Sequence, residues 1–276
     1  MIILNLIGFK KYRIGYLAAT AILSLMTTTN GHTEGHTPKL KKVDWSFNGP
    51  FGTFDRAALQ RGLQVYREVC SSCHALHQIR FGNLKGDGKD IEEIRTSNLG
   101  LNEAEVTAIA GEYKSKDLDD EGQPTERKSK LTDKFPAPYP NEKAARAVNN
   151  GANPADLSMI VKARVGEADY VYSLLTGFDT APADVTVGTG QYYNHYFPGN
   201  LLSMAPPLHT DGQVTYADGT IATIHQMAKD VTTFLTWAAD PSREDRKQMG
   251  VKILFYLFFL TIVLYIAKRK IWSDVH

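Results

Sequence analysis

The stretch Cys70-Ser71-Ser72-Cys73-His74 is the most informative part of this sequence. It contains the only two cysteines of the 276-residue sequence, and a histidine follows them directly. Cys-x-x-Cys-His is the attachment pattern of a c-type haem, in which each thiol adds to one haem vinyl group as a thioether. The histidine then points at the iron and offers a neutral imidazole as the fifth ligand. The motif predicts one covalently bound haem c, attached at Cys70 and Cys73 and ligated by His74.

Two other uses of a Cys-x-x-Cys pair agree less well with the sequence. A disulfide or a thioredoxin-like pair needs no neighbouring histidine, and it usually lies in an α/β pattern, which this chain lacks. A zinc site takes four ligands, so a second Cys or His pair would be expected. After the motif, no two histidines have the His-x3-5-His spacing of such a pair.

The C-terminal part of the chain is apolar over a long run. Residues 249–267 contain one charged side chain, Lys252, which can extend to the membrane interface. A spanning helix needs roughly 17–25 residues, so this run is long enough to cross once. A run that is apolar on all faces and ends in a cluster of cations favours a membrane span over a buried core helix. The cations of 268–270 place its end on the cytoplasmic or matrix side. We predict a transmembrane helix over 249–267 and a cytoplasmic-side tail over 268–276.

The N-terminus resembles an export signal. Three cations between residues 10 and 13 precede the apolar stretch 14–26. No A-x-A cleavage site follows, so a retained second anchor is the alternative to a cleaved signal over 1–31. In either case residues 32–248 are expected to form an exported haem domain. The signal lies directly at the N-terminus, which favours the bacterial inner membrane with the domain in the periplasm; the mitochondrial inner membrane is the alternative.

The charge balance excludes one class of partner. The formal net charge is +1, without the basic excess of a nucleic-acid-binding domain, so no nucleic acid is expected. The signal and the tail are both cationic, so the exported part between them is net negative. That sign favours a basic protein partner.

The hydrophobic periodicity is mainly helical. Asp55 is placed to cap a helix that runs through Cys70, and a capping box at Thr223 and Gln226 opens another that ends before Pro241. A second capping box opens a helix at residues 102–105, and shorter helices are predicted over 141–150, 156–164 and 167–176. Residues 114–134 and 180–220 have no clear period and are predicted to be loops.

These elements predict a mainly α, c-type cytochrome fold with long loop insertions and one C-terminal transmembrane helix. In small c-type cytochromes the first and last helices cross beside the haem. Gly62 would allow a close approach there, against the face of Leu235 and Trp237.

The sixth iron ligand must come from far along the chain. Met204 lies in S-M-A-P-P-L, where Pro206 and Pro207 keep the backbone out of a helix and hold the thioether in place. The other candidates are Met159 and Met227, which lie in helical patterns where methionine usually fills core space, and two histidines, His195 and His209. His77 is too close to His74 to reach the opposite haem face.

From about Trp45 to Trp272 the sequence resembles the cytochrome c1 family, the haem subunits of the quinol–cytochrome c oxidoreductase (bc1) complex. The matching segments are C-S-S-C-H (70–74), F-P-A-P-Y-P-N (135–141), A-A-R-A-V-N-N-G-A (144–152), D-L-S (156–158), D-Y-V-Y-S-L-L-T-G (169–177), Y-F-P-G (196–199), M-A-P-P-L (204–208), M-A-K-D-V (227–231), F-L-T-W-A-A-D-P (234–241) and D-R-K-Q-M-G (245–250). Their order and number make the resemblance specific.

The resemblance implies Met204 as axial ligand and places Asn149, Arg164 and Tyr170 around the haem and its propionates; we assign Pro206 to the same pocket. Many members carry an arginine eight residues after the haem histidine, where this chain has Gly82, and Arg80 is a candidate replacement. R-K-S-K-L at 127–131 and Ala155 also depart from the usual family pattern, and no cysteines remain for the disulfide that some bacterial members have.

The implied function is electron transfer, as a subunit of an oxidoreductase with no other substrate chemistry of its own. The implied partners are cytochrome b, the Rieske iron–sulfur protein as donor, and a soluble or tethered c-type cytochrome as acceptor. One alternative is another membrane-anchored monohaem cytochrome c, although the gap from His74 to Met204 is long for a minimal shuttle. The other is a haem-based sensor, which would need an open or labile sixth position.

Overall fold

The structure is a computed structural model that describes residues 38–86 and 99–273. The predicted export signal lies outside these residues. The helices are α1 (Arg56–Glu68), α2 (Glu103–Gly111), α3 (Glu142–Val148), α4 (Glu167–Leu175), α5 (Ile224–Ala239) and α6 (Arg243–Trp272). Two short antiparallel hairpins pair β1 (Lys114–Leu118) with β2 (Pro124–Lys128) and β3 (Tyr192–Tyr193) with β4 (Leu201–Leu202). The predicted mainly helical fold with long irregular insertions is confirmed.

The Cys-x-x-Cys-His motif begins two residues after the end of helix α1. The Asp55 carboxylate accepts hydrogen bonds from the backbone N–H groups of Ala57 and Ala58, which satisfies donors that the first helical turn leaves free. The α-helix ends at Glu68 instead of continuing through Cys70 as predicted. The chain tightens there into a 3₁₀ turn over Cys70–Ser72, so the motif follows the helix as a separate turn.

The core is built where α1 crosses α5. A Cβ atom added to Gly62 would lie 2.1 Å from the carbonyl oxygen of Asp230 and 2.7 Å from the Cβ of Phe234, so only glycine fits between the two backbones. The predicted crossing is confirmed, but Gly62 lies against Asp230 and Phe234 instead of Leu235 and Trp237. The latter two side chains are buried elsewhere in the same core.

Replacing Gly62 with alanine should therefore destabilise the domain by about 1–3 kcal/mol, the usual cost of overpacking, because the helices must move apart. Gly111 is a matched control: it is also helical, and an added Cβ there meets nothing within 4 Å. Thermal unfolding of the two variants measures the difference. An unchanged midpoint for Gly62→Ala would contradict the close crossing.

A buried carboxylate ties the same two helices together. Asp230 is fully buried and receives two hydrogen bonds from the Arg61 guanidinium, at 2.9 and 3.0 Å. Asp230 also affects the N-terminus of α5, where only one of the two hydrogen bonds of the predicted capping box is present. Thr223 accepts from the backbone N–H of Gln226, but the Gln226 side chain donates to Asp230 instead of turning back to the cap.

The stretch 114–134, predicted to be a loop, contains the β1–β2 hairpin. Its turn is specified locally: the Asp119 carboxylate accepts from the N–H groups of Glu121 and Gln123, and Gly122 has a φ of +79°. The strands are too rich in charge to give a two-residue hydrophobic period, which is why the pattern did not reveal them.

The predicted helix over 156–164 is wrong. The segment forms successive turns because its first residues are hydrogen-bonded to another part of the chain. The N–H of Leu157 donates to the carbonyl of Ala75, and the Ser158 hydroxyl accepts from the N–H of Gln78. These contacts between distant segments replace the pattern of a regular helix.

Helix α6 extends beyond the predicted apolar run at both ends. Its first turns pack on the domain: Glu244 is buried and accepts hydrogen bonds of 2.5 Å from the N–H of Phe54 and from Arg56. Lys247 donates to the carbonyls of Phe47 and Gly52. Farther along, the apolar side chains are exposed, and α6 is long and apolar enough to cross a membrane.

Candidate haem site

The turn that contains the Cys-x-x-Cys-His motif is stabilised by hydrogen bonds within it and by one from helix α1. Within it, the N–H groups of Cys73 and His74 both donate to the carbonyl of Cys70, at 3.2 and 2.9 Å. From α1, the hydroxyl of buried Tyr66 donates to the carbonyl of His74. Tyr66 packs against the rings of Phe135 and Phe234, so the turn rests on the aromatic core.

The two cysteines are half-buried and free, not joined in a disulfide. Burial, and then the neighbouring Cys73, raises the pKa of the Cys70 thiol to about 12, so an unmodified Cys70 stays neutral. A metal needs the thiolate, whereas a thioether carries no charge and tolerates burial. Among residues 38–86 and 99–273, no group of three or more His, Cys, Asp or Glu side chains is placed to hold a metal ion. The pair therefore fits covalent attachment better than zinc binding.

The imidazole of His74 is oriented by one short hydrogen bond. Its Nδ1 lies 2.7 Å from the carbonyl oxygen of Ala155. A carbonyl can only accept, so Nδ1 carries the proton and Nε2 keeps its lone pair. Burial lowers the pKa of His74, which outweighs the opposite influence of the Ala155 carbonyl and Asp156 and favours the neutral ring. This tautomer is the one that can ligate iron through Nε2.

The Met204 loop has the predicted irregular conformation. It follows β4 directly, and Met204 is half-buried. The Gln213 side chain fixes the loop: its amide donates to the carbonyl of Pro207 at 2.8 Å, and its Oε1 accepts from the N–H of His209. Nothing in the sequence pattern singled out Gln213, because a lone glutamine in a loop carries no positional signal.

The other ligand candidates have other surroundings. Met227 is fully buried in the core of α5, as expected of a filler residue. Met159 is 48% exposed and lies in the turns of 156–164, outside any helix. His195 contacts the Asp179 carboxylate through Nε2 at 3.1 Å, the nitrogen that a ligand most often uses, and His209 is exposed.

The predicted pocket residues have different local surroundings. Tyr170 is buried on α4 near the exposed Arg164; burial raises its pKa, against the influence of that cation. Asn149 ends α3, where its amide donates to the carbonyl of Ala145. Pro206 is half-buried beside Met204. Their roles toward a haem stay predictions.

Arg80, the candidate replacement for an arginine at Gly82, donates to the carbonyl of Thr132. A Cβ at Gly82 would lie 3.0 Å from the carbonyl oxygen of Leu131, so the backbones pass closely there. Arg80 thus has a structural partner in the described part of the chain. Whether it also contacts a haem propionate stays a prediction.

A helical domain with a free Cys-x-x-Cys pair, an imidazole held in its ligand tautomer and a methionine in a fixed loop defines a c-type cytochrome with one haem. Residues 45–275 match the model of the Cytochrome C1 family. The chain belongs to that family. Its members carry a covalently bound haem c and serve as the electron-transferring haem subunit of the bc1 complex.

Relatives occur in bacteria and in mitochondria. The chain is 48% identical to "Cytochrome c1, heme protein, mitochondrial" of Saccharomyces cerevisiae, over 84% of this chain and 71% of the relative. It is 41% identical to "Cytochrome c1" of Rhodospirillum rubrum, over 86% and 88%. It is also 44% identical to "Cytochrome b/c1" of Bradyrhizobium diazoefficiens, over 94% of this chain but only 39% of that longer relative.

Proposed function

We propose that this chain accepts one electron from a Rieske iron–sulfur protein and passes it to a c-type cytochrome through a haem attached at Cys70 and Cys73 and ligated by His74 and Met204. The observation that carries the proposal is the 2.7 Å contact between His74 Nδ1 and the Ala155 carbonyl, which leaves Nε2 available to iron. The haem supplies the redox-active metal. The protein's own contribution is to hold both ligands still, because a fixed geometry lowers the reorganisation that each transfer requires.

Quinol oxidation belongs, in this proposal, to other subunits. Cytochrome b is the expected membrane partner, and the name of the Bradyrhizobium relative, which joins b and c1, supports that assignment. A relative in Candida albicans is named a catalytic subunit of a cytochrome b-c1 complex, which supports membership in an oxidoreductase. The chain would act as one subunit of that enzyme, with electron transfer as its only chemistry.

For the location we propose a bacterial inner membrane, with α6 as a single anchor, the haem domain in the periplasm and residues 268–276 in the cytoplasm. The cations of 268–270 and the exposed apolar surface of α6 support this orientation. The mitochondrial inner membrane is the alternative, since relatives come from both sources.

The direct test is purification of the native membrane complex, followed by haem staining of its subunits. We expect the stained chain to co-purify with a cytochrome b and a Rieske protein, and to be reduced when quinol is added. A haem-stained chain that purifies alone would favour a different membrane-anchored monohaem cytochrome. Rapid carbon monoxide binding to the reduced protein would favour a sensor, because a firm Met204–iron bond excludes that ligand.

An acidic turn offers a docking region for a basic acceptor. Asp120 and Glu121 form the exposed tip of the β1–β2 hairpin, whereas Asp117 on β1 is paired with Arg127. The Asp119 carboxylate is occupied in holding the turn. The densest acidic positions of the exported domain are Glu92, Glu93, Asp117, Asp119, Asp120 and Glu121. Of those that the structure describes, Asp120 and Glu121 have the carboxylates best able to steer a partner. Glu92 and Glu93 lie outside the described residues.

The double variant Asp120→Asn/Glu121→Gln should slow the reduction of a basic c-type cytochrome several-fold at low salt. The difference should shrink as salt rises, because the screening length falls to about 10 Å at 0.1 M. Glu126→Gln, on the same hairpin but beside Lys114 at 3.5 Å, is the control and should change the rate less. Reduction by the Rieske protein should be unaffected. Equal low-salt rates for the double variant and the wild type would reject this turn as the docking site.

A further inference from the structure

Residues 155–158, here named the clamp segment, lie along the haem-motif segment 74–78. The His74 ring contacts the carbonyl of Ala155, and the N–H of Leu157 donates to the carbonyl of Ala75 at 2.9 Å. The N–H of Gln78 donates to the hydroxyl of Ser158 at 3.0 Å. The two segments are about 80 residues apart in sequence, so these contacts, and not the chain itself, determine where the Ala155 carbonyl lies.

Asp156 is the centre of the clamp segment. One carboxylate oxygen accepts from both the N–H and the Nδ1 of His77, at 2.9 and 2.6 Å. The other oxygen accepts from the N–H of Ser158 at 2.8 Å. Ser158 itself is fully buried. A single carboxylate therefore closes its own segment into a turn and attaches that turn to the segment carrying the haem motif.

We infer that Asp156 and Ser158 are positioning residues that hold the Ala155 carbonyl against His74 and thereby tune the iron's axial ligand. The inference rests on the ligation by His74 given in the proposed function. The carbonyl of Ala155 belongs to the peptide unit that joins it to Asp156, so anything that moves Asp156 moves the acceptor. Neither side chain is hydrogen-bonded to the His74 ring in the described contacts. Ser158 acts through the Ala155 carbonyl, whereas the Asp156 carboxylate also acts on the ring through its charge.

The expected effect follows from the chemistry of the imidazole. A carbonyl held at 2.7 Å draws on the Nδ1 proton and makes Nε2 a stronger donor. A more strongly donating Nε2 favours ferric over ferrous iron and so lowers the midpoint potential of the haem. Loosening the clamp segment should lengthen the contact between His74 Nδ1 and the Ala155 carbonyl. Nε2 then becomes a weaker donor, and the midpoint potential of the haem rises. The ring would also gain freedom to rotate about its bond to the iron.

Ser158→Ala is the decisive variant because it removes the acceptor for Gln78 without changing any charge. We expect its midpoint potential to rise, by about 59 mV if the preference for the ferric state falls tenfold. We also expect a shift in the electron paramagnetic resonance g values of the ferric haem, which report axial-ligand strength and ring orientation. Both are measured on the full-length haem-loaded protein in detergent.

Ser173→Ala is the matched control. Ser173 is also fully buried, and its hydroxyl also accepts a backbone N–H from a distant segment, that of Lys41 at 2.9 Å. It should lose comparable thermal stability while keeping the wild-type potential and g values. A role for Ser158 that is only structural would make the two serine variants alike in all three measurements.

Asp156 provides a second, graded comparison. Asp156→Asn keeps one of the two acceptor oxygens and should shift the g values less than Asp156→Ala, which should shift them in the direction of Ser158→Ala. If Asp156→Ala fails to take up haem, the serine pair and Asp156→Asn still decide the question. Wild-type potential and g values in Ser158→Ala would overturn the inference. Failure of the wild-type protein to reduce a c-type cytochrome would instead reject the proposed function.

Discussion

Met204→Leu is expected to abolish the sulfur-to-iron charge-transfer absorption band that the oxidised protein should show if sulfur is bound to ferric iron. Leucine has nearly the same volume but no lone pair, so the loop should keep its place while the sixth position opens. The potential should fall by on the order of a hundred millivolts, well within the roughly 0.8 V range that axial ligands span. Absorption spectroscopy and redox titration measure both effects.

Two methionines provide the controls for this substitution. Met227→Leu alters the buried core and should change stability but leave the band intact, and Met159→Leu alters an exposed turn and should change neither. Persistence of the band in Met204→Leu would exclude Met204 as the ligand. Loss of the band in Met159→Leu alone would move the assignment to that residue.

The double variant Cys70→Ala/Cys73→Ala should retain no haem after denaturation, because both thioether bonds are removed. Denaturing gels stained for haem peroxidase activity measure this loss, and each single variant should keep at most one bond. Ser71→Ala/Ser72→Ala is a control within the same motif. Those hydroxyls donate to the carbonyls of Arg67 and Val69 and have no part in attachment, so the stain should remain. A stained band in the double cysteine variant would rule out covalent attachment at this motif.

Local signals in the sequence predicted most of the helices correctly. Asp55 and Asn102 cap helices as expected, since each side chain accepts from a backbone N–H two or three residues ahead and no distant contact is involved. The haem motif is equally local. Its spacing alone indicates the chemistry, which is why the class of protein could be predicted from five consecutive residues.

Features that depend on contacts between distant segments were not predictable in this way. The stretch 156–164 has a helical period, yet its first polar groups bond to residues 75–78, directly after the haem motif, and the helix does not form. Gly62 was correctly placed at a crossing, but its neighbours on α5 depend on how that helix is rotated. The Arg61–Asp230 contact between the same two helices, 169 residues apart in sequence, has no local signal. Gln213 and Ala155 make their contacts through a side-chain amide and a backbone carbonyl, and the residue type of neither reveals such a contact.

The first turns of α6 have a mechanical consequence. Because Glu244 and Lys247 tie these turns to Phe54, Phe47 and Gly52, the proposed anchor enters the haem domain without a flexible hinge. In the proposed membrane arrangement, these contacts would hold the domain at a constant height above the bilayer. In that arrangement the proposed donor and acceptor would have to move to the haem domain, because the domain itself would be held in place by the first turns of α6.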